Sequence, residues 1–130
     1  MTLATPGEFA RAFAAGFGAR DAEALAALCA PDAEMLTLTG AWCEGRDQIG
    51  SVLAAELAGA FARARLVTGK GRLRPIAAGV ELLHQRYVLS GLVDAAGNDA
   101  GRIGAMLSAV LLQGPAGWHA TTLHFAALTG

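Results

Sequence analysis

The order of elements predicts an α+β fold in which three N-terminal helices pack on a strongly curved, mostly antiparallel sheet. Two observations predict it: capped helical segments fill the first part of the chain, and long β-prone segments separated by turns fill the rest. The first helix opens at Thr5-Pro6-Gly7-Glu8, with Thr5 as the cap, Pro6 at the first helical position and Glu8 completing a capping box. Phe9, Phe13, Gly16 and Phe17 recur at helical spacing and form its apolar face. Asp21 caps a second helix, Leu25, Leu28 and Cys29 form its face, and Pro31 ends it. Segment 34–39 is β-prone and turns at Gly40 into Ala41-Trp42-Cys43; residues 46–61 form a third helix. Four strands follow, over 62–74, 80–93, 102–113 and 118–128, with turns at 94–99 and 114–117. Gly69-Lys70-Gly71 lacks the strand–loop–helix setting and the Lys-Ser/Thr ending of a phosphate loop, so it reads as a bend or bulge.

A chain of 130 residues, 54% hydrophobic and 16% charged, fits one ordered globular domain over 1–130. Net charge is −1 with no Lys/Arg run, which argues against a nucleic-acid partner. The longest stretch free of both charged residues and histidine, 103–118, is too short for a membrane span and holds Gln113, Gly114 and Pro115. Glu8, Arg11, Arg20, Asp21 and Glu23 interrupt the first thirty residues, so no signal peptide is expected. Cys29 and Cys43 read as two reduced, packed thiols, and a cytoplasmic location is expected.

Most acidic residues have local explanations. Glu8, Asp21, Glu23, Glu44 and Asp47 serve helix starts, Asp94 and Asp99 a hairpin, and Asp32 a helix–strand junction; Glu34 and Glu81 lie near strand ends, where exposure is the default. Glu56 differs: at about 100° per residue it falls within the apolar arc of Ile49, Val52, Leu53, Leu57 and Ala60. It is a buried ion partner of Arg86 or another inward arginine, a side chain that bends out to water, or a cavity acid or base. His119 and His124 are five apart, which sends them to opposite faces of a regular strand, and no metal-ligand spacing exists. Strand period puts His124 with Ala120 and Thr122, and His84 with Leu82, Arg86 and Val88; whether His84 and Arg86 face inward is open, because Glu81, Gln85 and Tyr87 do not mark the other face as solvent. Trp42 is a candidate wall of a pocket mouth. In 102–113, Met106, Val110 and Leu112 point one way and Ala105, Leu107, Ala109 and Leu111 the other; the face not covered by helices predicts a homodimer through the sheet.

Several motifs in order resemble the nuclear-transport-factor-2-like superfamily, the cystatin-like α+β cone shared with ketosteroid isomerase and scytalone dehydratase, and within it the SnoaL-like proteins of the SgcJ/EcaC type. They are Asp21-x-x-Ala24-Leu25 with Asp32-Ala33 eleven residues on, Gly45-Arg46-x-x-Ile49, Arg72-Leu73-Arg74-Pro75 before the His84 strand, and Trp118-x5-His124. The resemblance implies that the His124 face lines the cone. It also implies a catalytic aspartate in the strand after the second helix, where this chain has Thr37. The function it implies is binding of a small apolar or polar-apolar organic ligand, as a cofactor-independent isomerase, cyclase or dehydratase. His124 or His84 would be the general base, Arg86 or Glu56 would orient or stabilise charge, and Trp42, Thr37 and Thr122 would line the site. The alternative is a non-catalytic ligand-binding or dimerisation domain. Convergence of His84, Arg86, Glu56 and His124 on one open pocket discriminates between them.

Overall fold

Asp21 caps its helix as the sequence predicts, accepting a hydrogen bond from the Ala24 amide at 3.0 Å. A computed structural model of the protein describes residues 3–129. Helices α1 (Phe9–Gly18), α2 (Ala22–Ala27) and α3 (Arg46–Ala58) alternate with a first hairpin, β1 (Cys29–Leu36) and β2 (Trp42–Glu44). Strands β3 (Arg65–Ala77), β4 (Val80–Val93), β5 (Asp99–Gly114) and β6 (Gly117–Leu128) follow. The six strands form one sheet in the order β2-β1-β6-β5-β4-β3. All neighbours are antiparallel except β1 and β6, which run parallel.

Three helix boundaries differ from the sequence reading. Helix α2 ends at Ala27, so Cys29 and Pro31 belong to β1 rather than to the helix and its stop. Pro6 opens a 3-10 turn, Pro6–Glu8, rather than α1 itself; the Thr5 hydroxyl makes no cap bond, and the Glu8 carboxylate instead accepts from the Ala4 amide at 3.0 Å. Helix α3 stops at Ala58 because Gly59 leaves helical backbone, at φ −108° and ψ −110°.

Alternation along each strand separates an inner face, against the helices, from an outer one. Leu83, Gln85, Tyr87 and Leu89 of β4 and Ala105, Leu107, Ala109 and Leu111 of β5 are buried on the inner side. The interior is filled with aromatic rings. Phe13 lies 6.4 Å from Phe9, 6.1 Å from Tyr87 and 5.6 Å edge-on from Phe125, by ring centroids. The Tyr87 hydroxyl donates to the Ala10 carbonyl at 2.7 Å, tying β4 to α1.

Two bulges set which side chains reach which face. In β3, register passes from Thr68 opposite Tyr87 to Gly71 opposite Gln85, so Gly69 and Lys70 together oppose Arg86. The expected bulge at Gly69-Lys70-Gly71 is therefore present. The buried Gln85 amide pins it, donating to the Gly69 and Arg86 carbonyls at 2.9 and 3.0 Å. A Cβ on Gly71 would displace the Gln85 side-chain amide that makes these bonds. In β6, Ala120 faces Leu111 and Thr122 faces Val110, leaving Thr121 as an extra residue. That one residue inverts the phase of everything after it.

Cys29 and Cys43 are free and buried. Burial pushes the Cys29 thiol from 9.0 up to about 12, only partly offset by the nearby Arg46 guanidinium. The sign of the consequence follows from linkage. Above pH 9 the unfolded chain loses this proton while the folded chain keeps it, so stability falls as pH rises from 9 towards 12. The expected slope from this group approaches about 1.4 kcal/mol per pH unit. Urea denaturation at pH 8 and pH 10.5 should show a smaller alkaline loss for Cys29→Ala than for the native chain; equal losses would exclude the thiol as the cause.

Candidate functional site

The sheet divides the candidate residues into two groups that do not meet. Glu56 and Thr37 lie on the inner side. His84, Arg86, Trp42, Thr122 and His124 lie on the outer side, as the strand registers show: Leu36 pairs Trp42 and His124, His124 pairs Ser108, and Ser108 pairs His84.

The expectation that His124 points into the cone is overturned. The Thr121 bulge separates its phase from that of Ala120, so Ala120 is buried inside while Thr122 and His124 turn outward. The same bulge corrects the reading of His119 and His124: His119 opposes Leu112 and His124 opposes Ser108, on one face rather than two. The open question about His84 and Arg86 resolves outward, because Gln85 and Tyr87 are the buried members of that strand.

Helix phase places Glu56 half-buried at the inner side, but its partners are not arginines. The Thr37 and Thr39 hydroxyls donate to its carboxylate at 2.7 and 2.6 Å. The fully buried Thr37 hydroxyl also accepts from the Ala41 amide at 3.2 Å. Arg86 is on the other side of the sheet, so a Glu56–Arg86 pair is excluded. Glu56 thus ties α3 to the β1–β2 turn. Glu56→Gln keeps an acceptor oxygen for both hydroxyls and should cost less than about 1 kcal/mol, whereas Glu56→Leu removes that acceptor, leaves the Thr37 and Thr39 hydroxyls only each other at 3.2 Å, and should cost about 1–3 kcal/mol. Urea denaturation of the two variants checks this; equal losses would show that charge, not hydrogen bonding, matters.

The outer face is ordered in rows that cross the whole sheet. One row reads Arg72, His84, Ser108, His124, Leu36 and Trp42 from β3 to β2. The row beside it reads Arg74, Leu82, Val110, Thr122, Glu34 and Glu44. Trp42 is 48% exposed, packs edge-on to His124 at 6.2 Å, and donates its indole N–H to Glu44 Oε1 at 3.1 Å. Val67 and Val88, cross-strand partners on this face, are 58% and 39% exposed. At the β3 end a groove of about 550 Å³ is lined by Lys70, Arg72, His84, Arg86, Met106 and Ser108, with no carboxylate among them. The sequence reading missed this cationic edge. Arg72 and Arg74, two apart in a strand, were the available signal, since that spacing puts both on one face.

No protein-family model matches the sequence and no curated protein matches it. Solved structures do match in shape. A Caulobacter vibrioides protein with a cystatin-like fold superposes with a TM-score of 0.85 at 20% identity, covering 95% of this chain and 87% of that one. A Xanthomonas campestris protein provisionally assigned as a calcium/calmodulin-dependent protein kinase II association domain gives 0.78 at 18% identity, over 94% of this chain and 84% of that one. A Novosphingobium aromaticivorans protein provisionally assigned as a scytalone dehydratase gives 0.79 at 12% identity, over 95% and 81%. The chain therefore has the cystatin-like α+β cone seen in NTF2-like proteins. At these identities the likeness extends to the fold alone. Among the described residues no helix is long and apolar enough to cross a membrane.

Proposed function

We propose that this protein is a non-catalytic binding and dimerisation domain whose working surface is the outer face of the sheet, with a second copy of the chain as its partner. One observation carries the reading. The interior that would hold a substrate is occupied by Phe9, Phe13, Phe17, Tyr87 and Phe125, while Met106, Val110, Leu112, Val88 and Trp42 stand on the uncovered face. His124 and His84 belong to that face as contact residues, with Arg86 and Thr122 beside them, rather than to a cavity as general bases. The shape likeness to an association domain supports the same reading. Two buried free thiols support a reducing, cytoplasmic setting for a single domain. Sedimentation equilibrium at micromolar concentration should give a dimer; a monomer throughout that range would overturn the proposal.

A second reading has one observation in its favour. Glu56 brings a carboxylate within 2.7 Å of Thr37, the position where the isomerase-type pattern has its aspartate. This supports a small organic ligand at the mouth of the cone, as does the likeness to a dehydratase. A ligand screen against the native chain and Glu56→Gln tests it: binding lost in the variant while stability holds supports it, and no binding to either rejects it.

A further inference from the structure

The outer face is charged asymmetrically. Its cations on or beside the β3 edge are Arg65, Lys70, Arg72, Arg74 and Arg86, and its carboxylates Glu34 and Glu44 sit on the opposite β1–β2 edge. Between them the middle strands carry Met106, Val110 and Leu112. Resting on the outer-face dimer proposed above, we infer that its two copies are related by a twofold axis running parallel to β5 and β6. Each copy's Arg72 and Arg74 then lie over Trp42 and Glu44 of the other.

Symmetry and register make the argument. A closed dimer packing identical sheet faces needs a twofold axis in the plane between them. An axis perpendicular to the strands lays β3 on β3 and β1 on β1, opposing arginine to arginine and glutamate to glutamate. An axis along the strands reverses the strand order from one copy to the other and lays β3 over β2. The sheet has six strands, so that axis passes between β6 and β5, the third and fourth in order. Arg74 and Glu44 end the same row, as do Arg72 and Trp42. The aligned tilt of stacked sheets, about 30°, displaces the edges by roughly one row, which keeps both arginines within reach of the acidic edge.

The contacts are chemically matched. Glu44 is exposed, and its side chain is held against the Trp42 indole N–H. An approaching guanidinium meets a carboxylate and an aromatic face together. The size also suits the partner. Six strands at about 4.8 Å spacing and four residue rows give a face of about 24 Å by 20 Å, so pairing two copies buries on the order of 1,000 Å², the lower bound for a stable specific interface. At that bound, edge charge pairs have a measurable share in affinity.

A charge-exchange cycle tests the register. Arg74 and Glu44 are both exposed, and circular dichroism of Arg74→Glu and Glu44→Arg checks that each variant folds. Each single variant should weaken the dimer at least about tenfold in sedimentation equilibrium at low salt, because symmetry applies every change twice. The variant carrying both should recover to within about threefold of the native chain, and the native dimer should weaken as salt rises. A stable dimer whose singles match the native chain, or whose double variant shows no recovery, overturns this register while leaving the outer-face dimer standing. A native chain that is monomeric overturns both.

Discussion

Phe13→Ala should destabilise the fold by about 3–5 kcal/mol, the largest loss expected from any single truncation in this chain. Phe13 is 2% exposed and its ring neighbours four others: Phe9 and Phe17 from its own helix, Tyr87 from β4 and Phe125 from β6. Those rings come from three separate elements, each fixed by its own backbone bonds, so the space cannot close by moving one of them. The loss is therefore transfer energy plus a cavity term. An apolar hole of this kind stays dry and accepts a small apolar guest. Benzene should raise the urea midpoint of Phe13→Ala and leave the native chain unchanged. A cost below about 1 kcal/mol, or benzene stabilising the native chain equally, would mean that the cone is open and that its ligand-binding reading regains ground.

Val110→Glu should leave folding nearly intact and abolish the dimer. Val110 is half-exposed in the single chain, on the outer face, between Leu82 and Thr122 in its row. A carboxylate there is hydrated in the monomer. In the dimer it would be enclosed over Thr122 of the other copy, beside the symmetry axis and diagonally across from its own equivalent, and two desolvated carboxylates there would cost several kcal/mol. The dimer dissociation constant should rise by roughly a thousandfold or more, while the monomer's urea stability changes by less than about 1 kcal/mol. Persistence of the dimer at micromolar concentration would move the interface elsewhere on the surface.

The parts of this molecule that were readable in advance are those decided locally. Asp21 caps α2 because capping depends on three neighbouring residues. The two apolar faces of β5 separate as the period of two requires, and the Gly69-Lys70-Gly71 bulge announces itself through its glycines. The Thr121 bulge has no such marker: Ala120-Thr121-Thr122 reads as uninterrupted strand, and only pairing with β5 shows the extra residue. The shared face of Thr122 and His124 was read correctly, but their relation to Ala120, and with it the facing of His124, was inverted for that reason. Glu56 was placed correctly by helix phase, but its partners, Thr37 and Thr39, come from a distant segment. A helical wheel reports direction and not what waits there. The charge polarity of the outer face escaped for a related reason, since it emerges only when the strand order β2-β1-β6-β5-β4-β3 sets Glu44 and Arg74 at opposite ends of one row.

The position of β6 in that order governs how the molecule can be made. Gly117–Leu128 lies between β1, formed near the start of the chain, and β5, formed just before it. A nascent chain emerging from the ribosome can close the β3–β4–β5 meander as it appears, but β1 and β2 have no sheet to join until the last strand arrives. Until then the β1 and β5 edges that β6 later covers are open to other chains. Completion of the sheet is thus a late, long-distance closure between the two halves of the polypeptide, and loss of β6 by truncation would divide the molecule rather than merely shorten it.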